Sequence, residues 1–187
     1  MEIKNSQRLS YALMGSDDAD LLFELDQDIE VMRYINGGEM TSMQDIHNVF
    51  LPRMAKYTDV DKGWGLWKVV VNTTDQFIGW ILVRPMDFFN DQPQWDNWEL
   101  GWRFKRESWG YGYGTEAAQH IMSALTESQE LHKFSAIAMP ENQASINIMK
   151  KLGMKHLKTE LHKDPLGDME AVYYELDVSR ICHSKKT

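Results

Sequence analysis

The stretch of this sequence that most constrains the fold is a glycine-rich segment directly in front of a helical pattern. Gly110, Gly112 and Gly114 occupy alternate positions after a strand-like segment at 97–105. Apolar residues then recur at helical spacing through residues 118–125. Glycine permits positive φ and lets another group approach the main chain closely. The order of strand, bare loop and helix therefore predicts either a tight turn or a binding site at the start of this helix.

A binding site there would suit an anion. The first N–H groups of a helix have no partners within it, and the helix dipole places partial positive charge there. The Walker motif requires Gly-Lys-Ser/Thr after the loop, where this chain has Gly114-Thr115-Glu116. The dinucleotide fingerprint requires G-x-G-x-x-G, and the spacing here is G-x-G-x-G. We interpret the loop as a cradle for a diphosphate unlike either motif, with a structural turn as the alternative.

The rest of the chain alternates between strand-like and helical segments without repeats or linkers. β-Branched runs and turn signals predict strands at 8–14, 65–72, 76–86, 97–105, 133–139, 154–162 and 171–179. Amphipathic spacing predicts helices from an N-cap at Ser16 to Gly37, at 43–56 around Pro52, at 115–128 and at 143–152. We therefore predict one mixed α/β domain over residues 1–187, of the α+β class, with a strand–helix–strand crossover in its middle.

Composition narrows the possible classes of protein. The 187 residues are 43% hydrophobic and 26% charged, as in ordinary globular proteins. There is no run of about 18 apolar residues for a membrane span and no apolar signal segment at the start, and Cys182 is the single cysteine. These features predict a cytoplasmic protein without an internal disulfide and without a membrane partner. The six histidines show no metal-ligand spacing, so no metal is expected.

The charge of the chain bears on its partners. The formal net charge is −8, and the acidic residues are spread along the sequence. Such a charge repels nucleic acid and favours cationic small molecules or basic peptides, although acidity also serves solubility alone. Nucleic acid is therefore not expected as a partner.

A second segment, MPENQASINIMKKLGMKH at 139–156, strengthens the diphosphate interpretation. With it, the chain resembles the GNAT superfamily of acetyl-CoA-dependent N-acetyltransferases, closest to the branch of ribosomal-protein N-terminal acetyltransferases. The matching pieces are RLSYALMGSDDADLLFEL at 8–25, ELGWRFKRESWGYGYGTEA at 99–117 and ENQASINIMKKLGM at 141–154. Their order and spacing extend the resemblance over roughly residues 8–178. It implies a central, mostly antiparallel twisted sheet of about six to seven strands flanked by helices, with the coenzyme A site in the crossover.

The resemblance implies acetyl-CoA as the co-substrate. The family's loop pattern, Gln/Arg-x-x-Gly-x-Gly/Ala, places Trp109 first, Gly112 fourth and Gly114 sixth, and Trp109 departs from the general pattern. Main-chain amides at 111–115 would hold the pyrophosphate, and the strand at 99–104 would pair with the pantetheine arm as with an added strand. Asn142 would hydrogen-bond the cofactor or, alternatively, cap the next helix. The implied cofactor-binding residues are Trp102, Arg103, Phe104, Trp109, Gly110, Tyr111, Gly112, Tyr113, Gly114, Thr115 and Asn142.

Two side chains are candidates for the chemistry. An attacking amine must lose a proton, because its pKa is about 8 for an α-amine and about 10.4 for lysine. Glu99 is the candidate base, directly or through water, and an ion pair with a neighbouring Arg or Lys is the alternative. The resemblance implies an acid, usually tyrosine, seven positions after Asn142, where this chain has Met149. Ser145 is the candidate substitute or else a structural residue, and a main-chain N–H near Trp102 would polarise the thioester.

The resemblance therefore implies transfer of an acetyl group from acetyl-CoA to a primary amine by direct attack in a ternary complex. The acceptor would be a protein N-terminal α-amine, or a small amine such as a polyamine or an aminoglycoside. A predicted loop from Asp87 to Trp98 carries four aromatic residues that would form an acceptor wall, or else a core edge or dimer contact: Phe88, Phe89, Trp95 and Trp98. The alternative function is a catalytically weak or inactive acyl-CoA-binding sensor or interaction module, because the usual tyrosine is missing. The final strands could also pair between subunits in a homodimer.

Overall fold

The computed structural model describes residues 1–129, 131 and 133–179. Cys182 lies outside these residues. None of the described helices is both long and apolar enough to cross a membrane. The chain forms two compact units, the first of residues 1–83 and 102–117 and the second of residues 84–101 and 118 onward. The single domain over 1–187 stays a prediction.

Seven strands form one mixed sheet. They are β1 (Leu9–Leu13), β2 (Gly65–Val71), β3 (Gln76–Met86), β4 (Gln94–Phe104), β5 (Lys133–Ala138), β6 (Lys155–His162) and β7 (Met169–Asp177). Their order across the sheet is β1-β2-β3-β4-β5-β7-β6. The pairs β1–β2, β2–β3, β5–β7 and β6–β7 are antiparallel, whereas β4–β5 is parallel. This mixed sheet confirms the predicted α+β class, and all seven predicted strands are present.

Six α-helical segments accompany the sheet. They are α1 (Ala19–Leu25), α2 (Ile29–Asn36), α3 (Met43–Asp45), α4 (Leu51–Tyr57), α5 (Tyr113–Ser128) and α6 (Gln143–Lys151). α5 connects β4 to β5, which lies parallel to β4. Two parallel neighbouring strands require a long crossover connection of this kind. The predicted strand–helix–strand crossover is therefore confirmed.

The first helical segment begins differently from the prediction. Gly15, rather than Ser16, takes the N-cap position of a 3-10 turn, and its N–H donates to the Asp18 carboxylate at 2.9 Å. The predicted continuous helix is also two helices, with the Asp28 side chain capping α2. A carboxylate that accepts a hydrogen bond from a main-chain N–H thus sets each start, Asp18 from Gly15 N and Asp28 from Glu30 N. Gly37 ends α2 with a φ of 86°, as predicted.

Residues 43–57 are helical throughout, although not uniformly α-helical. α3 passes into a π-helical turn at Ile46–Phe50 before α4 begins. Pro52 lies in the first turn of α4. Because proline has no N–H and its ring crowds the preceding turn, a wider turn before it lets the helix continue. Pro52 therefore modifies this helix without ending it.

β3 and β4 each have eleven residues, and β4 begins three residues earlier than predicted. The predicted aromatic loop is therefore too long at its C-terminal end. Trp95 and Trp98 lie within β4, and only Phe88 and Phe89 remain in the loop at 87–93. The residues 94–96 carry no clean alternation of apolar side chains, so their strand structure depends on pairing with a neighbour rather than on local pattern.

Each unit contains fully buried apolar side chains. In the first unit these include Leu9, Leu25, Met32, Ile46, Trp67 and Ile81. In the second they include Leu100, Ile121, Leu125, Leu131, Phe134 and Met149. Burial of such side chains stabilises a fold by roughly 1.5–3 kcal/mol each, so the strands and the apolar faces of the helices hold the site residues in place.

Candidate active site

The glycine loop lies between a 3-10 turn, Arg106–Ser108, and the start of α5. Gly110 and Gly112 have φ of 81° and 79°, in the left-handed region that favours glycine. Gly114 was expected to share this freedom, but it lies inside the first turn of α5, where the main chain is right-handed. Two of the three glycines therefore shape the loop, and the third belongs to the helix.

The described protein atoms do not crowd the two loop glycines. Among the described residues, a Cβ on Gly110 would meet no atom within 4 Å, and one on Gly112 would meet Arg8 Nη2 at 3.7 Å. Crowding inside the protein does not require either glycine, so the bare main chain faces open space. The first-turn N–H groups of α5, a helix of 16 residues, adjoin this loop.

Trp109, which departs from the family pattern, ties the loop to the end of β4. Its indole Nε1 donates a hydrogen bond to Phe104 O at 2.9 Å, while the residue stays 46% exposed. Lys105 N donates to Ile78 O at 2.8 Å and continues the pairing of β4 with β3 by one residue. The strand end and the first residue of the loop are thus held together through their main chain.

Arg8 and Glu116 connect the residue before β1 to the first turn of α5. Arg8 Nε donates to Glu116 Oε2 at 2.6 Å, and Arg8 N donates to Oε1 at 2.9 Å. Ser6 Oγ also donates to Oε1, at 2.8 Å. Burial raises the pKa of Glu116, but the hydrogen bonds from Ser6 and Arg8 and the charge of Arg8 outweigh it and lower the pKa below its usual value.

The same arginine reaches the glycine loop. Arg8 Nη1 donates to Tyr111 O at 3.0 Å, and its Cζ lies 4.5 Å from the ring centre of Tyr113. The rings of Tyr111 and Tyr113 stack with centres 5.7 Å apart. Sequence reasoning missed Arg8 and Glu116 as a pair, because more than a hundred positions separate them. One signal was available in the sequence. Glu116 is an acidic residue in the first turn of a helix predicted to bind an anion, so a cationic partner for it could have been expected.

Arg103, a predicted cofactor-binding residue, has a side chain engaged within the protein. It forms an ion pair with Asp26, which is 3% exposed and also accepts a hydrogen bond from Thr41 Oγ1 at 2.8 Å. Its Cζ lies 5.1 Å from the ring centre of Trp80. Any contribution of Arg103 to a cofactor site would thus come from its main chain, as the added-strand prediction assumed. Trp102 beside it is half-buried.

Glu99, the predicted base, is a buried residue at the end of a short parallel ladder. The β4–β5 pairing joins Asn97–Glu99 to Lys133–Ser135, whereas β7 pairs with β5 as far as Ala138. Glu99 Oε2 accepts a hydrogen bond from Arg84 Nε at 2.6 Å, and the two side chains are 7% and 11% exposed. The ion pair foreseen as the alternative is therefore present, and the role of Glu99 as a base stays a prediction.

Four other polar side chains lie on the strands of this unit and were not predicted. Ser135 Oγ, paired in register with Glu99, donates to Asn97 Oδ1 at 3.0 Å. Tyr173 and His162 are both buried and share a hydrogen bond of 2.8 Å between the hydroxyl and Nδ1. Burial, together with the charges of three nearby carboxylates, those of Glu160, Asp87 and Glu99, raises the pKa of Tyr173 to about 12. Their strand-like surroundings in the sequence gave no sign of these contacts.

Asn142 and Ser145 meet at the start of α6. The Asn142 side chain accepts a hydrogen bond from Ser145 N at 3.1 Å and so caps the helix. The capping alternative is thus present in the structure, and a cofactor contact of Asn142 stays a prediction. Met149, at the position where the family usually has tyrosine, is fully buried. This position therefore holds core packing in the present chain.

Aromatic side chains gather around the loop between β3 and β4. Phe88 contacts Phe89 and Trp95 edge to face, with ring centres 5.1 and 6.4 Å apart. Arg84 Cζ lies 5.4 Å from the ring centre of Phe89, and Trp95 is 58% exposed. Three of the four predicted aromatics thus form one cluster, which borders the Arg84–Glu99 pair. Its use as an acceptor wall stays a prediction.

The described residues contain no group of three His, Cys, Asp or Glu side chains that could hold a metal ion. Of the predicted site residues, the first unit brings Trp109, Tyr111 and Tyr113 together around the loop and adds Arg8. The second unit brings Asn142 to Ser145 and places Glu99 against Arg84.

In this mixed sheet, a glycine loop opens the helix that connects two parallel strands. The chain belongs to the GNAT acetyltransferase family, because the family model described as "Acetyltransferase (GNAT) domain" matches residues 8–155. This confirms the resemblance drawn from the sequence. The protein is accordingly an N-acetyltransferase.

Several relatives of this chain are also named as acetyltransferases or transacetylases. The chain is 31% identical over 141 residues to the uncharacterized N-acetyltransferase YnaD of Bacillus subtilis, covering 74% of each chain. It is 26% identical over 155 residues to the uncharacterized N-acetyltransferase p20 of Bacillus licheniformis, covering 83% of each. It is 27% identical over 161 residues to FsC-acetyl coenzyme A-N(2)-transacetylase of Aspergillus fumigatus, covering 85% of this chain and 67% of the relative.

Solved structures show the same fold. A GNAT-family acetyltransferase from Bacillus anthracis has a TM-score of 0.74 at 24% identity, with 95% of this chain and 98% of that chain covered. The ribosomal L7/L12 α-N-protein acetyltransferase RimL, in complex with coenzyme A, has a TM-score of 0.73 at 11% identity, covering 96% and 99%. The aminoglycoside acetyltransferase AAC(6')-Ib, also with coenzyme A, has a TM-score of 0.72 at 17% identity, covering 95% and 98%. These likenesses confirm the predicted GNAT-like fold.

Proposed function

We propose that this protein transfers the acetyl group of acetyl-CoA to a primary amine by direct attack in a ternary complex. The observation that carries the proposal is the glycine loop. Gly110 and Gly112 turn a bare main chain toward open space directly before the N-terminus of α5. A diphosphate suits this position because the loop amides and the helix dipole both favour negative charge.

The co-substrate would be held along the main chain. Amides at 111–115 would bind the pyrophosphate, with Trp109 holding the loop against the end of β4. The parallel ladder between β4 and β5 ends at Glu99, and the main chain of β4 continues to Phe104. Pantetheine contains amide groups that can pair with such a strand edge. The coenzyme A complexes of RimL and AAC(6')-Ib support this choice of co-substrate.

The reaction requires loss of one proton from the amine and stabilisation of the departing thiolate. The amine nitrogen forms a bond to the thioester carbonyl carbon, the carbon–sulfur bond breaks, and the amine loses one proton. Glu99 Oε2 binds Arg84, so we assign acceptance of that proton, directly or through a water molecule, to Oε1. Ser145 Oγ would donate a hydrogen bond to the departing thiolate, since Met149 has no proton to offer.

The acceptor we favour is a protein N-terminal α-amine, with a small polyamine or aminoglycoside as the other candidate class. The net charge of −8 favours a cationic amine, and three carboxylates act on Tyr173 in the second unit, those of Asp87, Glu99 and Glu160. The cluster of Phe88, Phe89 and Trp95 would contact the acceptor, because aromatic faces attract cations. RimL acts on a protein amine and AAC(6')-Ib on aminoglycosides, so both classes occur on this fold.

Two measurements test the function. Isothermal titration calorimetry with acetyl-CoA should show saturable binding at one site per chain, and absence of binding would refute the proposal. A turnover screen should then compare peptides, polyamines and aminoglycosides, with free thiol as the readout. Release of coenzyme A that depends on a peptide N-terminus, and stops when that terminus is blocked, would establish the favoured acceptor.

A second candidate function is an acyl-CoA-binding sensor with little or no catalysis. It is favoured by Met149, which fills with a buried apolar side chain the position where the family usually carries its acid. Tight binding of acetyl-CoA without turnover across the whole screen would support the sensor. Turnover that falls in a Ser145→Ala variant while binding stays constant would instead support catalysis with serine as the donor.

A further inference from the structure

We propose that Arg8 is a binding and positioning residue for the diphosphate of the co-substrate. Two of its guanidinium nitrogens hold the glycine loop to the first turn of α5, and the third is directed to a phosphate oxygen. The inference rests on the proposed function, since it names a residue for the same cofactor site. It assigns a role to a residue that lies outside the glycine-loop pattern.

Each guanidinium nitrogen of Arg8 has different surroundings. Nε binds the Glu116 carboxylate at 2.6 Å, and Nη1 binds Tyr111 O at 3.0 Å. Nη2 takes no part in these contacts and lies 3.7 Å from the place where a Cβ on Gly112 would stand. The side chain is 42% exposed. Nη2 is thus the nitrogen that borders the open side of the loop.

The charge of Glu116 explains why an arginine is needed there. A carboxylate in the first turn of α5 occupies the end of the helix that favours anions, and alone it would repel a phosphate. Both of its oxygens are bound, Oε2 by Arg8 Nε and Oε1 by Ser6 Oγ and Arg8 N. Arg8 therefore neutralises this carboxylate, which leaves the positive end of the helix to the ligand.

Guanidinium chemistry suits the remaining contact. An arginine presents several N–H groups in one plane and binds phosphate with more geometric specificity than lysine does. The ring of Tyr113 lies 4.5 Å from Arg8 Cζ, and Tyr111 stacks on Tyr113. These rings restrict the rotation of the guanidinium group. Arg8 is thus held in position before any ligand arrives, so little side-chain freedom is lost on binding.

The test uses five forms of the full chain: wild type, Arg8→Gln, Arg8→Lys, Glu116→Gln and the double variant Arg8→Gln/Glu116→Gln. Arg33→Gln serves as a control, because Arg33 is an exposed arginine of the same unit, 3.5 Å from Glu30 on α2. Calorimetry measures the Kd for coenzyme A and for dephospho-coenzyme A, and circular dichroism confirms that each variant is folded. Dephospho-coenzyme A keeps the diphosphate and lacks the 3′-phosphate, so it distinguishes the two phosphate sources.

We expect Arg8→Gln to raise the Kd for both ligands by the same factor, roughly tenfold to hundredfold, the range for a hydrogen bond to a charged group. Arg8→Lys should recover only part of this loss, and Arg33→Gln should match wild type. Glu116→Gln should bind at least as tightly as wild type. The double variant should recover the part of the loss that the unneutralised carboxylate causes and still bind more weakly than wild type, because removing the carboxylate does not replace the phosphate contact. The KM for acetyl-CoA should rise in Arg8→Gln while kcat changes little.

Other outcomes overturn the inference. Recovery of wild-type affinity in the double variant would show that Arg8 serves only to neutralise Glu116. A loss confined to coenzyme A would assign Arg8 to the 3′-phosphate instead of the diphosphate. Unchanged affinity in Arg8→Gln, with binding intact in wild type, would refute the inference alone. Absence of binding in the wild type would refute both the inference and the proposed function.

Discussion

Glu99 on β4 and Arg84 on β3 form a buried ion pair, with 2.6 Å between Oε2 and Nε. The pair lies where the parallel ladder between β4 and β5 ends. A buried carboxylate is stable here only while its arginine partner is present. If Glu99 is the base, the same carboxylate must also accept a proton from the amine. The pair therefore offers a test of structure and a separate test of chemistry.

Removing the arginine should destabilise the protein strongly. An Arg84→Met variant leaves a buried carboxylate without its partner, which costs about 3–5 kcal/mol of the free energy of unfolding. Urea denaturation followed by tryptophan fluorescence measures this loss. The double variant Arg84→Met/Glu99→Met removes both charges and should regain most of it. A single variant as stable as wild type would contradict the importance of the pair.

Removing the carboxylate tests the chemistry. Glu99→Gln should lower the turnover rate mostly at the lower end of the pH range, where loss of the amine proton limits the reaction. The measurement is kcat/KM against pH for a responsive amine. A matched Ser135→Ala variant alters a neighbour of Glu99 in register and should leave the shape of the profile unchanged. An unaltered profile in Glu99→Gln would remove Glu99 from the role of base.

Gly112→Ala should weaken binding of acetyl-CoA more than it weakens the fold. The φ of 79° makes alanine cost about 1–2 kcal/mol, and the added Cβ occupies space assigned to the diphosphate. Gly37→Ala is the matched control, because its φ of 86° and open surroundings impose a similar strain at the end of α2. Calorimetry and thermal unfolding should show equal losses of stability and a loss of affinity, about tenfold or more, only in Gly112→Ala. Equal affinities in both variants would argue against a ligand at the loop.

Gly79→Ala should be among the most damaging single substitutions in the first unit. A Cβ there would stand 2.2 Å from Arg103 O and 2.7 Å from Phe104 Cα, so main chain must move. We expect a loss of about 3 kcal/mol or more, or failure to fold. Gly15→Ala is the control, since its φ is −132° and no described atom lies within 4 Å. A stable Gly79→Ala protein would show that β3 and β4 separate more readily than their contacts indicate.

The Glu116 carboxylate should contribute stability that disappears in acid. Its pKa in the folded protein is lowered, from an unfolded value of about 4.3, by the hydrogen bonds from Ser6 and Arg8 and by the charge of Arg8. The contribution is therefore present above pH ~4.3 and is lost as the pH falls through the lower, folded pKa. The stability difference between wild type and Glu116→Gln, measured by urea denaturation at several pH values, should shrink below that pH. A difference independent of pH would contradict the ion pair.

The contribution of Tyr173 to stability should decrease as the pH rises, whereas that of Glu116 decreases as the pH falls. Burial, with the nearby charges of Glu160, Asp87 and Glu99, raises its pKa to about 12 in the folded protein from 10.0. Its contribution is therefore complete below pH 10 and declines as the pH rises toward 12, because the unfolded chain loses this proton first. Wild type should lose more stability between pH 10.0 and about 12 than Tyr173→Phe does. Equal slopes for both proteins would show that Tyr173 ionises freely.

The local features of the site could be predicted from the sequence. The order of strand, glycine loop and amphipathic helix depends on neighbouring residues, and the structure has it with positive φ at Gly110 and Gly112. The start of β4 was misplaced because residues 94–96 lack a clear pattern of their own. The N-cap at Ser16 was wrong because the Asp18 carboxylate reaches back to Gly15 N instead. The positions of these two starts depend on strand pairing and on which side chain reaches a main-chain N–H, and neither can be read from the local sequence pattern.

The sequence by itself determined that the chain folds as a mixed sheet with a crossover helix, and that its family is that of the GNAT acetyltransferases. Periodicity and glycine placement encode these properties locally. Only the tertiary structure decided which charges meet. Arg8 finds Glu116, and Glu99 finds Arg84, because the register of the strands and the position of α5 bring distant residues within hydrogen-bond reach. Long-range pairs of this kind leave no periodic signal in a single sequence, although they set the charge at the site.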